Sequence, residues 1–170
     1  RVVTLEPATA ATVLLVGLGR MGIPMGVHLR DRLVEGGGSL LGYDLSDAAC
    51  AAARDAGIDV ADDLVAAASG ADLVVLMLPS SRHVEAVLRG DAGDALRRGS
   101  VVVDMGSSEP LSTRALADEL GGGAVSLVDA PVSGGVAGSE AATLTVMAGG
   151  DAEVDDEDAL RGIGVRPSRD

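Results

Sequence analysis

Apolar residues in this chain come in short runs separated by helix-length stretches. Thr12 to Val16 is a β-branched and leucine run, which predicts a strand. Gly-Leu-Gly-Arg-Met-Gly (17–22) follows, then a helical stretch to about Leu33. Gly36 to Gly38 marks a turn. Ser39 to Tyr43 predicts a second strand with Asp44 at its end, and Asp47 to Ala56 predicts an Ala-rich helix stopped by Gly57. Ile58 to Val60 reads as a very short strand and Asp62 to Ser69 as a helix. Leu73 to Leu78 is six apolar residues in a row closed by Pro79, too uniform for a half-exposed strand and suited to one covered on both faces. Ser80 to Arg89 and Pro110 to Leu120 predict helices. Val101 to Val103 and Val125 to Val128 predict strands closed by Asp104 and Asp129. The alternation Thr-Leu-Thr-Val-Met from Thr143 to Met147 predicts a strand near a sheet edge with one wetter face.

Strand and helix therefore alternate at least five times. That order implies an α/β fold built on a doubly wound parallel sheet with right-handed crossovers. Ligands of such sheets bind beyond the carboxyl ends of the strands. The tips here carry Gly17, Asp44, Leu78-Pro79, Asp104 to Ser108, and Asp129 to Gly135. A single nucleotide-binding domain is expected over residues 12–150, after a flexible leader of residues 1–11 and before an acidic tail of residues 151–170.

Composition narrows the function classes. With 170 residues the chain suits one domain and hides roughly 70% of its unfolded surface. Hydrophobic residues make up 47%, against disorder, but aromatics only 1%, so the core must be aliphatic with close backbone approach. The 13 basic residues are all arginine and face 26 acidic ones, a net charge of −13. That balance argues against nucleic acid, because phosphate binding needs cations to displace counterions. Lysine, asparagine and glutamine are absent from the sequence, so no lysine Schiff base or lysine general acid can come from it. The single Cys50 excludes an internal disulfide and a Cys-rich zinc site, and no metal is expected. No apolar stretch approaches the roughly 18 residues of a membrane span, and Arg1 to Ala11 lacks the regions of a secretory signal. The expected setting is soluble, cytoplasmic and free of membrane.

Gly17, Gly19 and Gly22 form G-x-G-x-x-G between a strand and a helix, the context that gives this otherwise weak string its meaning. Gly17 allows the tight turn, Gly19 removes a side chain that would block a pyrophosphate, and Gly22 lets the helix lie close on the sheet. The helix start offers free N–H groups to the phosphates; Leu18, Arg20 and Met21 complete this loop. Arg20 either adds a cation or stays a solvated helix-start residue. Asp44 lies 22 residues past Gly22, where a carboxylate can accept from ribose hydroxyls and would repel a 2′-phosphate. The implied fold is Rossmann-type and the implied cofactor NAD, with NADP less favoured. The bland alternatives are a structural glycine turn and a plain loop acid.

With these motifs the chain resembles the β-hydroxyacid dehydrogenases, the 3-hydroxyisobutyrate and 6-phosphogluconate dehydrogenase-like enzymes. Gly17-Leu-Gly-Arg-Met-Gly-Ile-Pro-Met25, Leu78-Pro79-Ser80, Asp104-Met-Gly-Ser-Ser-Glu-Pro110 and Asp129-Ala-Pro-Val-Ser-Gly-Gly135 carry the resemblance, with Gly138 and Thr143 to Gly150 after them. It implies hydride transfer between a nicotinamide and a small hydroxyacid. It implies that Leu78, Pro79 and His83 border the cofactor, that Ser107 lies near the nicotinamide, and that Ser133, Gly134 and Gly135 bind the substrate carboxylate. His83 as a surface helix residue is the competing reading. The family's catalytic lysine and its asparagine belong to a second, all-helical domain. Neither residue type occurs here, so no catalytic residue is expected in this chain. Past Gly150 the family pattern gives way to Asp155-Asp-Glu-Asp158. That implies a C-terminal domain missing from this chain, or a partner copy in a homodimer. The rival expectations are an imine reductase-like nucleotide domain and a catalytically inactive NAD(P)-binding or interaction domain.

Overall fold

The structure is a computed structural model and describes residues 11–122 and 124–147. Of the expected leader only Ala11 is among them. It is tied down, its carbonyl accepting the Ser39 N–H at 3.0 Å. The tail from Asp151 lies outside the described residues.

The first half of the chain runs β1 (Thr12–Val16), α1 (Gly22–Glu35), β2 (Ser39–Tyr43), α2 (Asp47–Asp55), β3 (Asp59–Val60) and α3 (Leu64–Gly70). The second half runs β4 (Leu73–Leu76), α4 (Ser81–Leu88), α5 (Asp91–Asp94), β5 (Val101–Asp104), α6 (Pro110–Gly121), β6 (Ser126–Asp129), β7 (Val132–Ser133), α7 (Gly135–Glu140) and β8 (Thr145–Val146). Strands β1 to β6 form one sheet in the order β3-β2-β1-β4-β5-β6, every pair parallel. The expected Rossmann-type α/β fold is therefore observed. Strand order reverses between β1 and β4, and that reversal opens a crevice at their carboxyl ends.

Side chains on a strand alternate between faces, and the central strands are apolar on both. Val13 and Leu15 of β1, Val75 of β4 and Val103 of β5 pack under α1 and α2, with Leu29, Leu33, Cys50 and Ala53. Leu14, Val16, Val74, Leu76 and Val102 pack under α3 to α6, with Ala67, Ala68, Val84, Leu88, Ala92, Leu116 and Leu120. The lack of aromatic residues is met by short distances between layers. A Cβ at Gly26 of α1 would lie 2.8 Å from Ile58 Cδ1 and 2.9 Å from Leu15 Cδ2. On the surface, Arg89 of α4 donates to Glu119 of α6 and to Glu85, and Glu85 accepts from Ser112. Such exposed pairs add little stability.

Two expectations need correction. Leu73 to Leu78 is not all strand, since β4 ends at Leu76 and Met77-Leu78 turn over the crevice. The edge strand expected over Thr143 to Met147 is the two-residue β8, which pairs antiparallel with β7 as a separate ribbon. A parallel addition to the main sheet needs a long crossover, and the six-residue α7 is too short to make one. The alternation itself survives, with Thr145 exposed and Val146 buried.

Leu15 is fully buried at the centre of the sheet, whereas Leu111 is 79% exposed. Leu15→Ala is expected to cost about 2–5 kcal/mol and Leu111→Ala less than about 0.5 kcal/mol, measured by urea denaturation of each variant.

Candidate functional site

The site begins where β1 hands over to α1. Gly17 has φ +103° and a Cβ there would overlap the Met77 carbonyl, so only glycine fits. A Cβ at Gly22 would overlap the Gly17 carbonyl. Packing within the protein accounts for both glycines. Gly19 is different: a Cβ there meets nothing within 4 Å, and the residue is exposed. The protein itself does not require glycine at this position, whereas a ligand resting on the backbone does. No side chain caps α1 and no acid lies in its first turn. Inside the helix the Ile23 N–H is taken by the Gly19 carbonyl at 3.1 Å and Pro24 has no N–H, so the donors open to an anion are the backbone N–H groups of Gly19 to Gly22, beside the positive dipole end of α1.

Asp44 stands beside this turn, directly after β2. Its Oδ2 accepts the Leu18 N–H and its Oδ1 the Ser46 N–H, both at 2.8 Å. One carboxylate thus fixes the glycine loop and the residue that caps α2. The Leu18 bond was not foreseen from sequence. Leu18 itself turns its side chain into the core, 1% exposed and packed on Gly42. Arg20 is exposed, Met21 is half-buried, and Gly22 is buried.

A cavity of about 500 Å³ opens from this turn between α3 and α4. Gly17, Gly19, Asp44, Leu78, Pro79 and His83 all line it, so six of the expected cofactor residues converge. Leu18, Arg20, Met21, Gly22, Ser107, Ser133, Gly134 and Gly135 do not line it. His83 is exposed, with Nδ1 at 2.9 Å from the Ser80 hydroxyl. Sequence reading missed most of the apolar wall: Tyr43, Leu45, Leu64, Val65 and Val87. These residue types look the same whether they pack on protein or on a ligand, so only the spatial gap between α3 and α4 distinguishes them.

Ser107 is exposed in the loop after β5, and Ser133 is exposed in β7. Gly134 and Gly135 have φ of +129° and +60°, so glycine is needed there for the backbone alone. Helix α7, which they start, docks on α1: the Ser139 hydroxyl donates to the Met21 carbonyl at 2.8 Å, and His28 Nε2 lies 2.9 Å from the Glu140 carbonyl. The loop expected to take substrate is thereby fastened to the start of the glycine helix. Beneath it, Asp129 is pushed up from its ordinary pKa, first by burial and then by the charge of Asp104.

Comparison with known proteins agrees with this geometry. The family described as the NAD binding domain of 6-phosphogluconate dehydrogenase matches residues 12–159. The chain belongs to this family. It is an NAD(P)-binding domain, and its resemblance to the β-hydroxyacid dehydrogenases is confirmed. A NAD-dependent L-serine dehydrogenase of Pseudomonas aeruginosa is 40% identical over 146 residues, covering 83% of this chain and 47% of the relative. The structure of Mycobacterium tuberculosis 3-hydroxyisobutyrate dehydrogenase with L-serine superposes with a TM-score of 0.81 at 31% identity, over 91% of this chain and 51% of that one. An imine reductase of Streptomyces aurantiacus gives a TM-score of 0.75 at 26% identity, over 93% and 55%. The chain spans about half the length of the relatives it matches. No helix among the described residues is long and apolar enough to cross a membrane.

Gly22 and Gly19 should separate by variant. Gly22→Ala is expected to lower stability by about 1–3 kcal/mol, because backbone must move. Gly19→Ala is expected to keep stability within about 0.5 kcal/mol and to weaken NADH binding by about tenfold, or ~1.4 kcal/mol. Thermal denaturation and calorimetric titration of both variants check this.

Proposed function

We propose that this chain is the cofactor-binding half of an NAD(P)-dependent oxidoreductase acting on a small β-hydroxyacid, with NAD preferred over NADP. The observation that carries the reading is the uncapped start of α1. It opens at Gly19 onto the apolar cavity, with the Asp44 carboxylate at the rim. In that arrangement the backbone N–H groups of the loop from Gly19 to Gly22 and the α1 dipole hold the anionic pyrophosphate without help from lysine, in a protein whose overall charge opposes anions. Asp44 accepts from a ribose hydroxyl and disfavours a 2′-phosphate. Leu64, Val65 and Val87 offer flat apolar contact to the adenine, and Leu78, Pro79 and His83 border the dinucleotide.

When bound, the nicotinamide supplies the hydride donor or acceptor. Ser107 faces that end of the cofactor. The Ser133 hydroxyl and the backbone N–H groups of Gly134 and Gly135 take the substrate carboxylate, since successive amides in such turns favour an anion. The proton that accompanies hydride transfer needs a general acid, and we assign no residue of this chain to it. Relatives of about twice the length have room for that group in the half this chain does not span, on a C-terminal domain or across a homodimer. A lone buried thiol suits the cytoplasm.

The imine reductase reading draws on structural likeness at 26% identity. The hydroxyacid reading is favoured by relatives at 31–40% identity named for hydroxyacid substrates and by the carboxylate-sized turn at Ser133 to Gly135. A catalytically inactive binding domain would share every feature described except turnover once the acid-bearing half is supplied.

Calorimetric titration of the chain with NADH and NADPH is expected to show weak binding, NADH tighter by about tenfold or more from like-charge repulsion at Asp44. Asp44→Asn should narrow that ratio. Tighter NADPH, or no heat from either cofactor at millimolar concentration, would overturn the reading. Turnover of 3-hydroxyisobutyrate or L-serine should fall below that of a complete enzyme by at least the ~10²–10⁴-fold a general acid contributes. Robust oxidation by the chain alone would show that it is not merely the binding half.

A further inference from the structure

The tips of β5 and β6 set two acids side by side under the loops that carry Ser107 and Ser133. Asp104 and Asp129 are register partners on these parallel strands, where neighbouring backbones lie about 4.8 Å apart. They share a face, because Val102 and Leu127, two residues earlier on each strand, both pack in the core under α3 to α6. Asp104 is 1% exposed and well supplied with donors: its Oδ1 accepts the Gly106 N–H at 3.0 Å and its Oδ2 accepts the Ser108 hydroxyl. Asp129 is the reverse. Its Oδ1 is sealed from solvent and has no hydrogen-bond partner among the described residues.

The two sites therefore favour different charge states. A buried carboxylate with two donors is favoured as the ion; Asp129 is half-buried, and sealing one of its oxygens without a donor raises the cost of ionising it. Asp104 also reaches both loops. Asp104 holds Gly106, the residue before Ser107, and its carbonyl accepts the Ala130 N–H at 2.8 Å, at the start of the segment leading to Ser133.

We propose that Asp104 and Asp129 form an unequal acid pair, Asp104 charged and Asp129 neutral in the form the fold prefers, and that this pair positions loops 105–109 and 130–135 against each other. They are positioning residues, and the significance of the loops rests on the proposed function. The upward shift at Asp129, from burial and from Asp104, runs in the same direction. On α6, the helix packed over β6, the ionisable groups Arg114, Asp118 and Glu119 are exposed, as is Glu109 just before it. Glu119 is already engaged by Arg89.

The test is thermal denaturation of the chain, wild type against Asp129→Asn and Asp104→Asn, between about pH 5 and 9. A carboxyl whose pKa is raised by folding contributes its full stability below its unfolded value and loses it as pH rises through the folded value. The Asp129→Asn midpoint should thus lie above wild type at alkaline pH, with the gap closing towards acid. Asp104→Asn should lower the midpoint at every pH or prevent folding, because an amide offers one acceptor oxygen where two donors wait. Amide hydrogen exchange should show loops 105–109 and 130–135 better protected at alkaline pH in Asp129→Asn than in wild type. An Asp129→Asn midpoint equal to or below wild type at alkaline pH would overturn the proposal. So would a wild-type midpoint in Asp104→Asn, or protection unchanged in those loops. None of these measurements uses a dinucleotide, so failure to bind NADH would sink the proposed function and leave this result standing.

Discussion

The backbone leaves the middle of the sheet at Gly17 so close to the Met77 carbonyl that no Cβ fits between them. Much of the site's geometry follows from that approach. The turn stays tight because Gly22 lies against the Gly17 carbonyl, and α1 therefore starts directly above the end of β1. A helix that starts there without a side-chain cap leaves the N–H groups of the loop from Gly19 to Gly22 open, while Ile23 is bonded to the Gly19 carbonyl and Pro24 has none to offer. Within one turn, the same steric constraint produces both a packed crossover and a positive electrostatic end for an anion.

Asp44 links that turn to its surroundings. Its carboxylate takes one backbone N–H from the glycine loop and one from the start of α2, so the residue proposed to grasp a ribose also holds the glycine loop in place. Below it, the Cys50 thiol donates to the Asp44 carbonyl at 3.3 Å. A group placed by three hydrogen bonds is preorganised, and a ligand then costs less ordering to bind. The net charge of −13 makes such local arrangement necessary, since long-range repulsion works against an anion.

The opposite end of the crevice is built by another device. Loops after β5 and β6 are held from beneath by Asp104 and by the ribbon of β7 and β8, and α7 fastens the second loop to α1 through Ser139 and His28. The glycine loop and the loop at Ser133 to Gly135 share a helix as their common support, although more than 110 residues separate them in sequence.

The amino-acid sequence by itself determined the alternation of strands and helices, the glycine turn and the acid at the end of β2. Those signals are local: apolar runs of fixed length, a spacing of three glycines and one carboxylate tip. It also fixed the family, because Gly17 to Met25 and Asp129 to Gly135 are long enough to be specific. Only the tertiary structure decided that Thr145-Val146 pairs with Val132-Ser133 rather than with the main sheet, since partner choice depends on the length of α7 and not on the strand's own pattern. Only the fold showed that Leu64, Val65 and Val87 face a cavity, because an apolar side chain is chemically the same whichever neighbour it meets. The pairing of Asp104 with Asp129 was likewise invisible along the chain. Each acid reads as a strand terminator until the register of β5 and β6 places the two carboxyl groups together.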